Sequence, residues 1–360
     1  MCTNIHPVQC IIPPYMAEKL MQKSESKPSA FKTKVQAFAT DDKFRSKRQL
    51  FSKLSHGAKR VLLHESLKKA TKKAAVNRAV YTAKNKETQP GTLVRKEGQA
   101  AVKDEDVNRV YDAAGYTWNF YYSLFGRNSI DSKGMKIIQT VHYGKKYDNA
   151  FWDGEQMIYG DGDGKIFGSF TTDIDIIGHE LTHGVVQYEC NLAYKDQSGA
   201  LNESLADVFG TMIKQKTLNV DVKHADWLIG ENCLLGKKYA LRSLKAPGTA
   251  YVNHPDLGTD PQPADMSGYD NSPGDNGGVH TNSGIPNHAF YLAAYNIGGY
   301  SWEKAGRIWY AALTDKELVK ETADFADFKN ATIVHAQKLF PGNTPVSNAV
   351  SAAWQAVGVY

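Results

Sequence analysis

The stretch with the clearest potential for chemistry is His179-Glu180-Leu181-Thr182-His183. On a helix, two histidines four positions apart lie about one turn apart on the same face, so both imidazoles can reach one metal ion. The glutamate beside the first histidine projects into the same space and can serve as a general base. Five residues also match by chance on an ordinary surface helix, so the motif alone leaves the catalytic and the bland interpretation equally open.

A second spaced pair follows at Glu203 and Asp207, twenty residues past His183. A catalytic zinc ion takes three protein ligands and keeps a fourth position for water, so Glu203 would complete a His, His, Glu set. Asp207, one helical turn later, can accept the second N–H group of a ligand histidine and orient its ring. The alternative is two solvated carboxylates. It is disfavoured because a buried carboxylate needs a cation and the neighbouring positions are apolar: Leu201, Leu205, Val208 and Phe209.

Hydrophobic periodicity predicts the elements that position these residues. Asp173 is placed to begin the helix that carries His179. Strand-like patterns are found at residues 135–143, 149–159 and 165–170. Residues 160–164 are rich in Gly and Asp, but they lack the downstream glutamate of a calcium-binding EF-hand and indicate a tight turn. Helical spacing is found at residues 106–125, 285–297, 302–314, 325–340 and 346–357.

Composition excludes several classes of protein. The 360 residues are 42% hydrophobic, which is ordinary for a globular chain with two sizeable lobes and an extension. No apolar run approaches the ~20 residues that span a bilayer, so we expect no membrane partner. The first residues lack a basic region followed by an apolar run, so no Sec-type signal is expected. The four cysteines lack framework spacing and are predicted to be unbridged: Cys2, Cys10, Cys190 and Cys233.

The net charge of +5 conceals an asymmetry between the two parts of the chain. Residues 1–76 hold 16 Lys/Arg and 5 Asp/Glu, a balance of +11, and the remainder holds 27 and 33, a balance of −6. A basic arm that binds nucleic acid or a membrane is one interpretation. Docking of the positive segment on the negative remainder is the favoured one, because no nucleic-acid fingerprint accompanies the charge.

Further blocks agree in order and spacing with a known family: Asn149-Ala150-Phe151-Trp152, Leu192-Ala193-Tyr194, Leu241-Arg242-Ser243 and the glycine-rich residues 275–284. From about Asn77 to Tyr360 the chain resembles the thermolysin family of zinc endopeptidases. Its N-terminal Ile11-Ile12-Pro13-Pro14-Tyr15 resembles the protealysin subgroup, whose propeptides are short. The resemblance implies an α+β fold with a propeptide at 1–76, a β-rich catalytic lobe at 77–187 and a helical lobe at 188–360. The cleft between the lobes would be the active site.

Glu180 cannot easily bind the same metal ion as His179, and it is placed to move a proton from water to the leaving amine. The resemblance implies that His280 and Tyr194 donate to the oxyanion and that Asp275 orients His280. It implies contacts to the substrate backbone at Asn149, Ala150, Trp152 and Arg242.

The pocket just after the scissile bond is implied to be lined by Phe170, Ile176, Ile229, Cys233 and Leu241. Such a pocket predicts cleavage on the N-terminal side of large hydrophobic residues such as Leu, Phe or Ile. Each of the five lining residues could equally belong to the ordinary hydrophobic core.

The paired calcium site of the family is doubtful here. Acidic residues remain at Asp175, Asp226 and Glu231, but Lys214 and Leu228 stand where two more acids would be. A lysine can supply the charge compensation that a cation would. The later calcium loop is shortened and carries lysines at 237 and 238, so complete loss of calcium is open.

We therefore expect the zymogen of a zinc-dependent neutral endopeptidase, with one catalytic Zn²⁺, protein substrates and its own propeptide as inhibitor. The inhibitory contact is predicted at Cys10, Pro13, Pro14 and Tyr15. Either the Cys10 thiolate takes the open zinc position, or the stiff Pro-Pro-Tyr unit blocks the cleft and Cys10 is incidental.

The rivals are an exopeptidase and a binding protein with a structural zinc. A monomer is expected, without nucleic acid, secreted by a route that uses no Sec signal or cytoplasmic until release. The lysine run at residues 68–73 is the expected processing zone, preceded by a short helix near residues 61–67.

Overall fold

A computed structural model describes residues 10–24, 74–236 and 239–360. The predicted helix near residues 61–67, the processing zone at 68–73, Cys2 and the lysines at 237 and 238 lie outside these ranges. Of the predicted unbridged cysteines, Cys10, Cys190 and Cys233 are confirmed to form no disulfide. Within the described ranges, no helix combines the length and apolarity that crossing a bilayer requires.

The N-terminal lobe is built on a five-stranded sheet. Its strands are β1 (Arg78–Thr82), β2 (Thr92–Lys96), β3 (Ile137–Val141), β4 (Ala150–Trp152) and β5 (Met157–Tyr159), and they lie in the order β2-β1-β3-β5-β4. Strand β3 is parallel to both of its neighbours, whereas β4 is antiparallel to β5 and forms an edge. A second, two-stranded sheet pairs β6 (Leu228–Ile229) with β7 (Arg242–Ser243).

One predicted strand, residues 165–170, does not form. The Asp163 carboxylate accepts the backbone N–H groups of residues 165–167 at 2.9, 2.8 and 3.2 Å, which curls the chain instead of extending it. Phe167 makes an isolated bridge with Leu234. Residues 160–164, where a tight turn was predicted, form a loop with left-handed backbone at Gly162 and Gly164.

The C-terminal lobe is helical, as predicted. The helices of the described residues are α1 (Pro14–Ser24), α2 (Glu105–Phe125), α3 (Ile174–Tyr188), α4 (Asp196–Leu218), α5 (Asp275–Asn282), α6 (Gly284–Ile297), α7 (Ala305–Thr314), α8 (Phe325–Leu339) and α9 (Thr344–Ala356). The periodicity predicted α2, α6, α7, α8 and α9 to within a few residues at each end, and no helix was predicted at α1 or α5.

Helices α3 and α4 form the centre of the molecule. Every residue of α3 from Asp175 to Val186 is buried, and so is nearly all of α4 through Ile213. A helix that is buried on all sides can carry charged residues only if they find partners inside the protein. Asp173 begins α3 as predicted, but its carboxylate accepts from Asn232 rather than capping the helix.

The described part of the N-terminal segment packs on the catalytic lobes. Its apolar side chains Ile11, Ile12, Met16 and Leu20 belong to the main hydrophobic core, and each contributes about 1.5–3 kcal/mol by its burial. On the outer side of α1, Lys19 and Lys23 hold the loop at residues 254–258.

Candidate active site

Three buried side chains from α3 and α4 converge on one point. His179 Nε2 lies 3.0 Å from His183 Nε2, because the two histidines project from successive turns of α3. Glu203, on α4, places its two carboxylate oxygens 3.5 Å from these nitrogens, Oε2 facing His179 and Oε1 facing His183. One ligand atom from each of the three residues fits within a 4.8 Å span.

The hydrogen bonds on the far side of the two imidazoles indicate that the point where the three side chains converge suits a cation. His179 Nδ1 lies 2.7 Å from Asp207 Oδ1, and His183 Nδ1 lies 2.9 Å from Asn202 Oδ1. Both partners are acceptors, so each Nδ1 carries a proton and each ring turns its Nε2 toward the other. With a lone pair on each Nε2, two such nitrogens 3.0 Å apart beside a carboxylate repel one another unless a cation lies among them. Glu203 Oε2 is also buried without a hydrogen-bond partner.

Two nitrogens and a carboxylate are the ligand set of many catalytic zinc sites, and the residues present therefore fit zinc. The amide of Asn202 was not foreseen as part of this site. Its orientation is set by its own Nδ2 group, which donates to Leu192 O at 3.2 Å. Its sequence signal is slight: an amide residue beside Glu203 on a buried helix.

Asp207 is the most heavily bonded carboxylate of the site. Besides His179, it accepts from Arg242 Nε and Nη2, each at 2.8 Å, and from Asn287 Nδ2 at 2.9 Å. Burial alone would raise the pKa of Asp207, but Arg242 and His179 hold it well below its usual range. Asp207 therefore remains ionised and fixes the orientation of His179 and Arg242 together. Asn287 is a further member that the sequence did not reveal.

Glu180 lies beside the metal ligands without joining them. The backbone N–H of Trp152, on edge strand β4, donates to Glu180 Oε2 at 3.0 Å. The Trp152 indole donates to Gln187. Trp152, expected to hold the substrate backbone, thus gives its own N–H to orient Glu180.

His280 faces the ligand cluster from α5. Its Nδ1 lies 2.8 Å from Asp275 Oδ1, and its Nε2 lies 3.1 Å from the hydroxyl of Tyr194, which donates to Glu203. Burial lowers the pKa of His280, but Asp275 and Glu203 outweigh it and raise that pKa above its usual value. Burial also raises the pKa of Tyr194 well above its usual value. Both groups can therefore donate hydrogen bonds into the cleft at neutral pH.

The glycine pair before His280 has a steric reason. Gly277 and Gly278 adopt left-handed backbone with φ of 85° and 70°, which interrupts α5. A Cβ on Gly277 would lie 2.1 Å from Asp196 Oδ1 and 3.3 Å from Asp196 Cα, so a side chain there would force the Asp196 side chain at the start of α4 to move.

Three of the four residues predicted to bind a substrate backbone bind the N-terminal segment of the chain itself. Ile11 N donates to Ala150 O at 3.2 Å, and Ile12 N donates to Asn149 Oδ1 at 3.1 Å. Arg242 Nη1 donates to Ile11 O at 2.9 Å. The segment therefore lies in the cleft as an added strand.

The predicted apolar pocket is fully buried, which is consistent with both interpretations of its residues. Ile11 is equally buried and belongs, with the pocket residues, to the main hydrophobic core of the molecule. The lining residues are Phe170, Ile176, Ile229, Cys233 and Leu241.

The prolines do not act as the sequence predicted. An extended Pro-Pro unit was expected to fill the cleft, but residues 10–12 fill it and Pro14 begins helix α1. Proline is well tolerated in the first turn of a helix, where its missing N–H has no partner to lose. Pro13 O accepts from Met16 N, so the prolines turn the chain out of the cleft. The hydroxyl end of Tyr15 is buried near Tyr251, and this burial raises the pKa of Tyr15.

Cys10 is fully buried at the cleft, paired by an antiparallel bridge with Phe151. Its Sγ donates to Ile12 O at 3.1 Å. Among the described residues, the closely spaced ligand group formed by the two histidines and Glu203 does not include Cys10.

A lysine occupies the second acidic cluster of α3 and α4. Lys214 Nζ lies 3.1 Å from Asp175 Oδ2 and 2.7 Å from Asp226 Oδ2, with Glu231 Oε2 at 4.0 Å. The ammonium thus lies among the three acids that remain of the family's calcium cluster.

Comparison with known proteins agrees with this geometry. The thermolysin metallopeptidase catalytic domain matches residues 55–187, and the thermolysin metallopeptidase alpha-helical domain matches residues 190–359. An extracellular metalloprotease of Pectobacterium carotovorum subsp. carotovorum is 52% identical over 285 residues, covering 79% of this chain and 81% of the relative. Protease PrtS of Photorhabdus sp. (strain Az29) is 50% identical over 288 residues, covering 79% and 76%.

Among solved structures, the precursor of protealysin, a metalloproteinase from Serratia proteamaculans, superposes with a TM-score of 0.84 at 45% identity. The match covers 98% of this chain and 100% of the other, so it includes the N-terminal segment. Two family models, relatives at about half identity and a shared two-lobe fold lead to one conclusion. The chain belongs to the thermolysin family of metallopeptidases.

Proposed function

We propose that the chain is the inhibited precursor of a zinc endopeptidase, with His179, His183 and Glu203 as the zinc ligands. The observation that carries the proposal is the pair of imidazole lone pairs turned toward each other beside Glu203. When bound, zinc supplies Lewis-acid activation of water and of a substrate carbonyl. The remaining roles fall to side chains of the protein.

Glu180 is the proposed general base. Its carboxylate is held toward the cleft by the Trp152 N–H, in an orientation suited to accept a proton from a water at the reaction centre. It takes one proton from the attacking water and delivers it to the leaving amine. Since Glu180 is buried, little solvent competes for that proton.

His280 and Tyr194 are the proposed donors to the oxyanion. Their polar ends lie 3.1 Å apart, so both can reach one oxygen. Asp275 keeps the His280 ring oriented and protonated. Arg242 and Asn149 hold the backbone on the amine side of the scissile bond, as they hold residues 11 and 12 here.

The apolar pocket supports cleavage before large hydrophobic residues. A charged side chain there would lose its hydration without gaining a partner, whereas Leu, Phe or Ile gains from burial. Ile11, buried in the same cluster, has the expected chemistry.

The N-terminal segment is the proposed inhibitor, acting by blockage of the cleft. The Cys10 thiol donates to Ile12 O and stands outside the ligand group, which supports blockage over a cysteine switch. The charge balance of +11 against −6 assists docking, and the Lys23–Asp256 pair at 2.8 Å is one local instance. The boundary near residue 76 is part of the proposal.

We place the mature enzyme outside the cell, as a monomer. The Pectobacterium relative is named as extracellular, which supports this placement. Loss of the calcium sites belongs to the same proposal, because Lys214 supplies the positive charge among Asp175, Asp226 and Glu231.

The Glu180→Gln variant tests the proposed function. We expect it to retain about one zinc per chain and to lose casein hydrolysis after the N-terminal segment is removed, because Glu180 is a base and not a ligand. Zinc analysis beside an activity assay decides. Glu155→Gln, at an exposed position of the same lobe, is the matched control and should stay active. Strong turnover by the Glu180 variant contradicts the mechanism.

A further inference from the structure

The contacts of the N-terminal segment identify which of its peptide bonds faces the catalytic groups. His280 Nε2 lies 3.1 Å from the carbonyl oxygen of Cys10. The next residue, Ile11, is held on both sides, by Ala150 O at its N–H and by Arg242 at its carbonyl. The bond between these two groups of contacts is Cys10–Ile11.

The segment also runs in a definite direction. Cys10 forms an antiparallel bridge with Phe151 on edge strand β4, and the Asn149 side chain accepts from the N–H of Ile12. A substrate that donates to Ala150 and Asn149 with consecutive N–H groups must run the same way, because its N–H and C=O groups alternate along the strand. The carbonyl that precedes those two N–H groups then meets His280.

The side chain after this bond has the required chemistry. Ile11 is fully buried in the main hydrophobic core, which also includes Ile176 and Leu241 of the proposed pocket. The segment is therefore presented as a substrate is presented, with a large apolar side chain on the amine side of the reacting carbonyl.

We infer that the precursor hydrolyses its own Cys10–Ile11 bond and releases residues 1–10. The inference rests on the proposed function, since it uses the same catalytic groups. The water oxygen bonds to the Cys10 carbonyl carbon as the C–N bond breaks. One water proton passes through Glu180 to the Ile11 nitrogen, and the second moves from the new Cys10 carboxyl group to the same nitrogen, leaving a carboxylate on Cys10 and an ammonium group on Ile11.

Two features make this bond a slow substrate. The Cys10 thiol donates to Ile12 O at 3.1 Å and so ties together the two sides of the bond that must separate. Helix α1 stays anchored by buried Met16 and Leu20 and by the Lys23–Asp256 pair. Residues 11–24 therefore remain docked after the cut, and removal of residues 1–10 precedes loss of the inhibitor.

The full-length chain, purified with zinc, provides the test. Mass spectrometry should show a new N-terminus at Ile11, with a first-order rate that does not depend on protein concentration because the bond lies in the chain's own cleft. In ¹⁸O-labelled water, the released peptide should gain one ¹⁸O atom at Cys10. A rate that rises in proportion to protein concentration overturns the inference.

Variants test whether the side chain of residue 11 and Glu180 control the cut. Ile11→Asp should slow the cut at least about 10-fold, because a hydrophobic pocket lowers the reaction rate of a poorly matched side chain by at least that factor. Ile11→Leu should cut like the unchanged chain, and Glu180→Gln should not cut. Gln22→Asp places the same new charge on the exposed side of α1 and is the matched control, expected to cut normally.

A second measurement does not depend on turnover. In full-length Glu180→Gln, hydrogen exchange should show protected amides at Ile11 and Ile12, because both N–H groups donate to the cleft. Rapid exchange at both overturns the assigned register. A chain that hydrolyses casein once trimmed but leaves Cys10–Ile11 intact overturns this inference alone. A trimmed chain that hydrolyses no peptide overturns the proposed function instead.

Discussion

Helices α3 and α4 carry two clusters of buried charge that differ in the source of their cation. In the first cluster, His179, His183 and Glu203 converge, and a cation from outside the chain would bind the two imidazole nitrogens and balance the charge of the carboxylate. In the other, Asp175 meets Lys214, which comes from the chain itself. Asp175 lies one helical turn before His179, so the same helix pair serves both clusters.

The difference separates an exchangeable cation from a permanent one. A metal at the histidine cluster can hold an open position for substrate, which a lysine cannot. Lys214 can only neutralise, and it does so without depending on the ion content of the medium. Burial lowers the pKa of Lys214, but Asp175 and Asp226 outweigh that and raise it. The first cluster can therefore be catalytic and the second structural.

The largest expected effect comes from removing one ligand of the external cation. Glu203→Ala should lose zinc and reduce peptide hydrolysis at least about 10³-fold, because a Lewis-acid metal contributes several kcal/mol to the transition state. Metal analysis and casein hydrolysis of the trimmed chain measure both. Glu231→Ala removes an acid from the other cluster and should keep its zinc. Equal zinc loss in the two variants would erase the distinction between the clusters.

Removal of the internal cation should instead affect stability. Lys214→Met leaves Asp175 buried without its partner, and we expect a loss of about 3–5 kcal/mol in the free energy of unfolding. Denaturant unfolding measures it. Lys216→Met, on the same helix beside Trp302, is the matched control and should cost much less.

The calcium dependence of thermal stability tests the same difference between the two clusters. Selective calcium removal should leave the melting temperature of the unchanged chain nearly constant while zinc is retained, because Lys214 already supplies the charge. Lys214→Asp, with four acids and no lysine, should become more stable when calcium is added. A large calcium-dependent shift in the unchanged chain would contradict the internal-cation interpretation.

A change at Asp207 tests how much the carboxylate behind His179 contributes to zinc binding and activity. Asp207→Ala should weaken zinc binding or activity by roughly 10–100-fold, because His179 and Arg242 both lose the carboxylate that orients them. Competition with a zinc chelator and the kcat of the trimmed chain measure the two effects. A variant with unchanged zinc affinity and unchanged kcat would show that this contact is dispensable.

The smallest effect is expected at a third cluster, whose cation is a proton. His142 lies 2.8 Å from Asp161 and 2.9 Å from Asp104, and these carboxylates raise its pKa to about 9. Because the folded pKa exceeds the unfolded value near 6.5, this stability is complete below about pH 6.5 and is lost as the pH rises to about 9.

We expect roughly 1 kcal/mol from His142, since the pair is partly exposed and screened by solvent. Unfolding of His142→Gln should therefore differ from the unchanged chain at pH 6 and converge with it near pH 9. His224→Gln changes an exposed histidine and serves as the control. A difference between His142→Gln and the unchanged chain that grows with pH would have the wrong sign.

Local spacing predicted much of the site. His179 and His183 share a helical face by sequence distance alone, and Glu203 and Asp207 repeat that spacing on α4. The strand predicted at residues 165–170 does not form because one carboxylate, Asp163, accepts hydrogen bonds from three backbone N–H groups. The hydrophobic periodicity of a sequence carries no information about such hydrogen bonds. Pro14 was misassigned for a similar reason, since the same fixed φ suits an extended chain and the first turn of a helix.

The sequence by itself therefore determined the candidate metal ligands, the buried helices that carry them and the lysine that lies among the acids of the second cluster. Only the tertiary structure decided the partners of those residues. Asn202 and Asn287 became part of the site because α4 packs beside α3 and α6 packs beside α4, and Cys10 met His280 across 270 positions of chain. Helical spacing is a property of neighbours in sequence, whereas these contacts depend on how whole elements pack and on which buried donors still need an acceptor.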